Sequence, residues 1–583
     1  MTTAVGPLQL LPDALNASFK LVPAIMVSLM LLLFLGIGYA FRVADTEDLW
    51  VAGRSIGNVE NGMAIGANWM SAASYLGMAA LIALSGYYGL AFVVGWSTGY
   101  FILLIFLAAQ MRRFGKYTAP DFVGDRFDSD AARAIAALTT ILIGFVYSVG
   151  QARGMGLVGI YVFGGDYVTM VVLLMAITVG YLALSGMLGA TKNMAVQYVI
   201  LIVAFLAGLY AVGFTQGYST VAPQIEYGAL LSQLDAEFTE PFATGGVYIW
   251  VATAFSLIVG TCGLPHVLVR FYTVESERTA RWSTVWGLFF ICLLYLSAPA
   301  FAAFGTDLYA NNVGEVYGAN GMSGAEGDVI VVIASQLANL PTWFVGLVAA
   351  GGIAAAIATT AGLFIAASSA AAHDIYTNIV NPDASQRQQL LVGRATIVGL
   401  GAVVTLFALD PPALVGELVS YAFSLAGLVL FPMFFLGLWW ENANRQGALA
   451  GMTTGLLIWL AAIVNEVLPA YVGFLTAGES GAIVPLYADV FPAIGAALAG
   501  TPIVFAVTIL VSMATAEPDE EIKRIVRQCH SPEPMGQQQS AEEVAATDGG
   551  TDAVTDGGTA LDGDAAADDP DAAADDTNES TED

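Results

Sequence analysis

Apolar runs of about 20 residues alternate along the chain with short polar segments, and a run of that length crosses a bilayer as a helix. Thirteen spans are predicted, at approximately 20–41, 61–84, 88–111, 132–162, 167–188, 193–214, 246–269, 283–304, 343–371, 391–410, 414–439, 446–466 and 489–513. The pattern predicts an all-α polytopic membrane protein. One run departs from what a lipid-facing helix needs. NGMAIGANWMSAASYLGMAALIALSG, Asn61 to Gly86, is crowded in its first half with Gly, Ser, Asn and Ala. Gly62, Gly66 and Gly77 lower helix propensity, and Ser71 and Ser74 compete with the backbone for hydrogen bonds. Lipid satisfies none of Asn68, Ser71 or Ser74, so another helix, water or a ligand must. A broken helix lining an ion or solute site meets that need. The alternative is a small-residue packing face, which accounts for Gly and Ala but poorly for Asn68 beside Trp69.

Polar positions in other runs extend the list. In the ninth, GGIAAAIATTAGLFIAASSAAAHDIY, the hydroxyls of Thr359, Thr360, Ser368 and Ser369 lie in a small apolar helix. A hydroxyl pair meeting free carbonyls suits a hard monovalent cation without any carboxylate. His373 and Asp374 read as a helix terminus rather than a metal pair, and no transition-metal site is expected. The fourth run holds Gln151 and Arg153. Gln151 is a candidate for the solute site. Arg153 lies roughly 30 Å along the helix from Arg133. It either snorkels to the outer interface or draws an anionic solute inward. In the seventh run Thr253, Ser256 and Thr261 are polar, and Gly263 and Pro265 break the pattern. His266 is a gate or a structural histidine, and Arg270 reads as an interfacial anchor. Tyr421, Ser424 and Pro432 mark the eleventh run. Tyr87, His266 and Tyr421 are the gating candidates.

Charge sets the orientation. With the N-terminus outside, the inner segments collect Arg42, Arg54, Arg112, Arg113, Lys116, Arg126, Arg133, Lys192, Arg270, Arg278, Arg281, Arg387, Arg394, Arg445, Lys523, Arg524 and Arg527. The outer segments carry almost none, Lys20 being the main exception. The positive-inside rule then places the C-terminus in the cytoplasm of a multi-pass plasma-membrane protein. The outer segment around 328–340 reads either as a short helix or as a capping loop.

Composition agrees. Of 583 residues, 57% are hydrophobic and 11% charged, against about 25% charged in soluble domains. The formal charge is −29, from 48 acidic and 19 basic residues. Fifteen of the acidic residues fall between Ala541 and Asp583, where no basic one occurs. That stretch reads as a disordered, self-repelling tail. EPDEEIKRIVRQCH before it reads as an amphipathic helix at the inner surface. The acidity suits a high-salt organism such as a halophilic archaeon. No basic stripe supports nucleic-acid binding, and no obligate protein partner is evident. Cys262, Cys292 and Cys529 have neither disulfide nor zinc spacing. The N-terminal residues lack a basic region before the first apolar run, so that run is expected to remain as a span rather than be cleaved. HExxH does not occur, GxSxG is absent as a convincing strand–turn–helix element, and nothing resembles a phosphate loop. The reading is therefore not an enzyme but a secondary transporter without an organic cofactor.

The chain resembles the sodium/solute symporter family. WVAGRSIGNVENG with the run after it resembles that family's first core helix, and TTAGLFIAASSAAAHDIY its eighth. YTAPDFVGDRF and GLPHVLVRFYTV are similar to the acetate-permease-like branch. The resemblance covers roughly 20–515. It implies an extracellular N-terminus (1–19), then an additional helix and cytoplasmic loop (20–60). A first inverted five-helix repeat (61–214), an extracellular loop (215–245) and a second repeat (246–439) follow. Two C-terminal helices (440–513) and an acidic cytoplasmic tail (514–583) complete the chain. The first core helix of each repeat is expected to be broken.

The resemblance also implies a Na⁺ site between core helices one and eight. Carbonyls of Ala67, Met70 and Ala355 match the family's ligand positions, and the hydroxyl positions fall at Ala358 and Thr359. The hydroxyl pair here is Thr359–Thr360, one position later, so Thr360 joins the candidates and protons stay open as the coupling ion. The implied function is Na⁺-coupled uptake of acetate or a similar short monocarboxylate by alternating access. Alternatives are the symport of another small solute such as proline or pyruvate, or a channel or transporter-derived sensor. The solute-site candidates are Asn68, Trp69, Ser71, Ser74, Gln151, Arg153, Thr253 and Ser256. A small carboxylate can be met there by free amides or a helix dipole end, so no buried basic residue is required.

Overall fold

The computed structural model describes residues 18–42, 50–218, 222–231, 234, 238–240, 242, 245–317, 321–471 and 482–531. Among them no β-strand occurs. α1 (Leu21–Ala40) precedes a broken pair, α2 (Asn58–Trp69) and α3 (Ala73–Phe106). The short α4 (Ala119–Arg126) leads into α5 (Asp130–Phe163) and α6 (Tyr167–Thr215). A second broken pair follows, α7 (Gly246–Gly263) and α8 (Pro265–Leu268), and then α9 (Glu277–Asn312). The short α10 (Ile330–Leu337) falls within the outer segment expected at 328–340 and makes it helical. α11 (Thr342–Val380), α12 (Gln386–Ala408), α13 (Val415–Trp439), α14 (Arg445–Glu466), α15 (Ala497–Ala514) and α16 (Glu520–His530) complete the described chain.

Eleven of these runs are long and apolar enough to cross a membrane, where the hydropathy pattern predicts thirteen. The count does not confirm thirteen, and the difference lies in two places. α3, of 34 residues, and α6, of 49 residues, each cover two of the predicted spans. α3 turns at Gly86, with φ 54°, and α6 at Gly186, with φ 56°. Side chains rarely tolerate that conformation, so glycine supplies the bend in each.

The breaks at the first helix of each repeat have separate causes. Pro265 has no N–H to donate and drives the residue before it out of the helical region. Leu264 accordingly sits at φ −75°, ψ 117°. The other break lies at Met70, φ −74°, ψ 67°, in a segment whose glycines and serines give the helix little to lose.

Packing pairs the elements in matching sets. α2 packs on α9, and its counterpart α7 packs on the second half of α3. α5 packs on α13, as α11 packs on α6, while α5 and α11 cross each other directly. These sets are what two inverted five-helix repeats require, with the broken pairs facing one another. α11 is wholly buried from Gly351 to Ser369, because its Gly, Ala, Ser and Thr let neighbouring backbones approach closely.

One end of the bundle is tied by arginine. Thr118 and Asp121 form a capping box that starts α4. Arg126, at its end, donates to the carbonyls of Gly437 (2.7 Å), Ala443 (2.9 Å), Trp440 (2.8 Å) and Glu441 (3.2 Å). Those carbonyls terminate α13, where cations are favoured. Burial draws the guanidinium down to about 10, which leaves it protonated at neutral pH. α16 docks beside this clamp: Val526 and Cys529 are buried, His530 bonds Leu438 O at 2.8 Å, and Arg113 bonds Cys529 O at 2.9 Å. The acidic stretch after Ser531 and the N-terminal residues 1–17 lie outside the described residues.

Arg126→Met keeps the volume and removes every donor. It should lower stability by about 2–4 kcal/mol, since several buried carbonyls lose their partners. The check is thermal unfolding of the purified protein in detergent, with Arg126→Lys restoring only part of the loss.

Candidate functional site

The break between α2 and α3 displaces four successive carbonyls from helical bonding. The Ser71 amide, which would reach back to Ala67 O, bonds Trp69 O at 2.8 Å. The Ser74 amide, which would reach Met70 O, bonds Ser71 O at 3.0 Å. Ala67 and Met70 thus receive no amide from four residues along. The Ala72 amide is taken by Gln151 Oε1 at 2.8 Å, which releases Asn68 O. The Thr359 hydroxyl then donates to Asn68 O at 2.8 Å. Trp69 O also accepts from Ser74 Oγ at 3.1 Å. Past the break the chain winds a π turn, Ala73–Gly77, a feature frequent at functional positions.

Thr359 projects from α11, and its oxygen also lies 3.3 Å from Ala355 O. Thr360 turns the other way and donates to Ala356 O of its own helix at 2.8 Å. Ala358 has no hydroxyl. The structure therefore brings Thr359, Ala355 and the Ala67–Met70 segment together and leaves the Thr360 hydroxyl engaged elsewhere. The donor set is neutral: carbonyls and one hydroxyl. Such a set suits a monovalent hard cation, as broken helices do in ion-coupled transporters.

An aromatic frame encloses the break. Trp69 meets Tyr100 with ring centroids 4.5 Å apart and Phe423 at 5.4 Å. Tyr147 meets Phe423 at 5.8 Å and His266 at 5.5 Å. The Tyr147 hydroxyl reaches Ser71 Oγ at 3.4 Å, and Tyr295 shares a 2.8 Å bond with Ser74 Oγ. The sequence reading missed Tyr100, Tyr147, Tyr295 and Phe423. Tyr147 was recoverable, because it precedes Gln151 by one helical turn on the same face. Several buried polar atoms of this region have no hydrogen-bond partner among the described residues: Asn68 Oδ1, Gln151 Nε2, both His266 ring nitrogens and Ser424 Oγ.

The other candidates have different surroundings. Thr253 shares a 2.9 Å bond with Tyr88 OH, and Ser256 Oγ accepts from the Ala497 amide at 3.0 Å, so that side chain ties α7 to α15. Tyr87 packs against Phe242 at 5.9 Å. Tyr421 O accepts from Trp459 Nε1 at 2.9 Å. Arg153 pairs with the buried Asp328 at 2.7 Å, and Asp328 also accepts from the Val415 amide at 3.2 Å. The charge of Arg153 is thus spent on the segment before α10, a partner that neither reading of it named.

Two expectations are corrected. His373 and Asp374 do not end their helix, which continues as a π-helical stretch from Ala370 to Val380. They gather instead with Asp121, their ligand atoms within 4.8 Å of one another. The cation of that cluster is Arg133, 2.7 Å from Asp121 and 3.8 Å from Asp374, and Thr118 bonds Asp374 at 2.9 Å. Burial opposes the Asp121 charge, but His373 and Arg133 outweigh it and hold the carboxyl below its usual range. Arg270 is not at an interface but fully buried.

The model of the sodium:solute symporter family matches residues 49–455. An uncharacterized symporter of Cupriavidus necator is 29% identical over 661 aligned positions, covering 90% of this chain and 95% of that protein. The uncharacterized symporter YwcA of Bacillus subtilis is 31% identical, covering 72% and 80% respectively. Among solved structures, the substrate-bound outward-open state of a Na⁺-coupled sialic acid symporter superposes with a TM-score of 0.68. It is 16% identical and covers 86% of this chain and 100% of that one. At that identity the likeness establishes the fold.

Close contact between α11 and the break rests on Gly362, where an added Cβ would fall 2.1 Å from Asn68 Oδ1. Gly362→Ala should therefore cost about 1–3 kcal/mol, as overpacking does. Gly399→Ala, which meets nothing within 4 Å, should be neutral or stabilising by up to about 1 kcal/mol. Paired thermal melts check both.

Proposed function

Because the chain belongs to the sodium:solute symporter family, we propose that it takes up acetate or a similar short monocarboxylate together with Na⁺. Family and fold are those of secondary transporters, not enzymes. The observation that carries the ion assignment is the Ala67–Met70 segment facing Thr359. Two carbonyls lack their helical amides there, a hydroxyl stands beside them, and all these oxygens are neutral. An ion seated there would couple α11 to the broken α2–α3. Binding then favours the arrangement in which these elements stay together, and the solute is accepted beside them. A membrane potential adds about 2.3 kcal/mol per charge per 100 mV to the driving force.

The solute would lie among Asn68, Ser71, Ser74, Gln151, Tyr147 and His266, inside the aromatic frame. The proposed topology has thirteen crossings, with α3 and α6 each crossing twice at their glycine bends. It has the N-terminus outside and the C-terminus inside. It is supported by the arginines gathered at one end: Arg113 with Glu277, Arg133 with Asp121, and Arg527 with Glu441.

Purified protein in liposomes should accumulate labelled acetate under an inward Na⁺ gradient and lose most of that uptake when K⁺ replaces Na⁺. Equal uptake in both salts would sink the Na⁺ coupling. Thr359→Ala should raise the Na⁺ concentration for half-maximal uptake by about tenfold, the worth of roughly 1.4 kcal/mol, with folded yield unchanged. Thr360→Ala should leave it within about twofold, because that hydroxyl bonds only within its own helix. An unchanged Na⁺ dependence in Thr359→Ala removes the residue from the site.

A further inference from the structure

Among the described residues, the fold settles Arg126, Arg133 and Arg153 in recognisable ways, and Arg270 stands apart. Arg126 is met by four main-chain carbonyls. Arg133 is met by Asp121 and Asp125, and Arg153 by Asp328. Arg270 is 0% exposed and receives none of these. Its Nη1 donates to Thr191 Oγ1 at 2.8 Å, its Nη2 to Met194 Sδ at 2.7 Å, and its Nε has no partner among the described residues. Both acceptors are neutral, and a thioether is a weak one. A buried guanidinium without carboxylate or carbonyl compensation is costly.

A second observation points the same way. His266 precedes Arg270 by four residues, and both its ring nitrogens are buried and unpartnered. Its carbonyl accepts from Asn68 Nδ2 at 3.2 Å, and its ring lies against Tyr147. Unspent polar groups therefore run from the break of α2–α3, through His266, to Arg270. The Arg270 carbonyl is held by Asn61 Nδ2 of α2 at 3.1 Å. A movement of α2 that opens this end of the bundle would uncover the guanidinium.

We propose that Arg270 is the fixed counter-charge for the carboxylate of the transported anion on the inner half of its route, with His266 as the donor between it and the break. The proposal rests on the reading of the chain as a carrier of a small organic anion. It adds what that reading did not require, a buried basic residue. A carboxylate would replace the Met194 sulfur on the fork of the guanidinium, a match of planar groups that lysine cannot reproduce.

The test supplies a resident carboxylate. Met194→Asp should pair with Arg270, preserve or raise the melting temperature, and reduce Na⁺-driven acetate uptake in proteoliposomes by about 30-fold, a scale usual for losing one partner of a buried charge pair. Met194→Leu should transport within about twofold of wild type, because it adds no charge. Met194→Asp protein transporting as well as Met194→Leu would overturn the proposal, since a merely structural Arg270 is only better held by the new partner. Should Met194→Asp not fold, the wild-type protein decides: acetamide competing as well as acetate overturns the proposal, and acetate alone competing upholds it. The underlying reading is checked apart, by the Na⁺-induced rise in wild-type melting temperature. If wild type takes up no acetate, that reading fails, and melting shifts with pyruvate, lactate, propionate and their amides decide on charge. Stabilisation by a carboxylate but not its amide upholds the counter-charge, and any other pattern overturns it.

Discussion

A helix interrupted inside an apolar bundle must place every backbone group it releases, because no bulk water is at hand to take them. The interruption at Met70 sets that demand, and much of the surrounding structure answers it. Gln151 comes across from α5 to take the Ala72 amide, Thr359 from α11 to occupy Asn68 O, and Ser74 folds back on Trp69 O. Two carbonyls, at Ala67 and Met70, are left over. The unanswered part of the demand is what the proposed ion site rests on, since neutral oxygens suit a monovalent cation.

The same constraint accounts for the composition of α11. A side chain at Gly362 would occupy the space of the Asn68 amide, and one at Gly351 would fall 2.5 Å from the Tyr75 hydroxyl. Small residues there are what allow a helix to lie close enough for its hydroxyl to reach a neighbouring carbonyl. Contact this close is also easily lost, which is a useful property in a structure whose repeats must rock against each other. The charged residues, by contrast, sit at the ends of the bundle. Arg126 and Arg133 tie one end and Arg153 the other, each with acceptors that fully or largely compensate it. Arg270 breaks that rule, and its position between the break and the arginine-rich end gives the exception a direction.

Much of this was legible in the residue pattern. Gly, Ser and Asn in place of Leu and Ile exposed the first break, and Gly263–Pro265 the second. Apolar run length exposed the all-helical class. The span count was less secure, because a glycine with positive φ bends a helix without ending its hydropathy, as at Gly86 and Gly186. The site was legible in part. The sequence named Ala67, Met70, Ala355, Ala358 and Thr359 through its family resemblance, and Thr360 as the hydroxyl beside them. It could not say which of two adjacent hydroxyls turns outward, because neighbours on a helix differ by about 100° in direction. It named Gln151 but not its service to the Ala72 amide, which joins residues 79 apart in the chain.

The sequence by itself determined the class of protein, the two interruptions and the chemistry at hand: hydroxyls, amides and carbonyls, with few charges away from the ends. These follow from local composition, since bilayer length and helix propensity act on neighbouring residues. Only the tertiary structure decided who meets whom. It turned Thr359 toward the break and Thr360 away, tied Ser256 to α15, spent Arg153 on Asp328, and took Arg270 from an expected interface into the interior beside Met194. Those outcomes depend on packing between segments far apart in the chain. A residue's own helix fixes its height and its face, but only the neighbours on that face fix whether its charge or hydroxyl is already used.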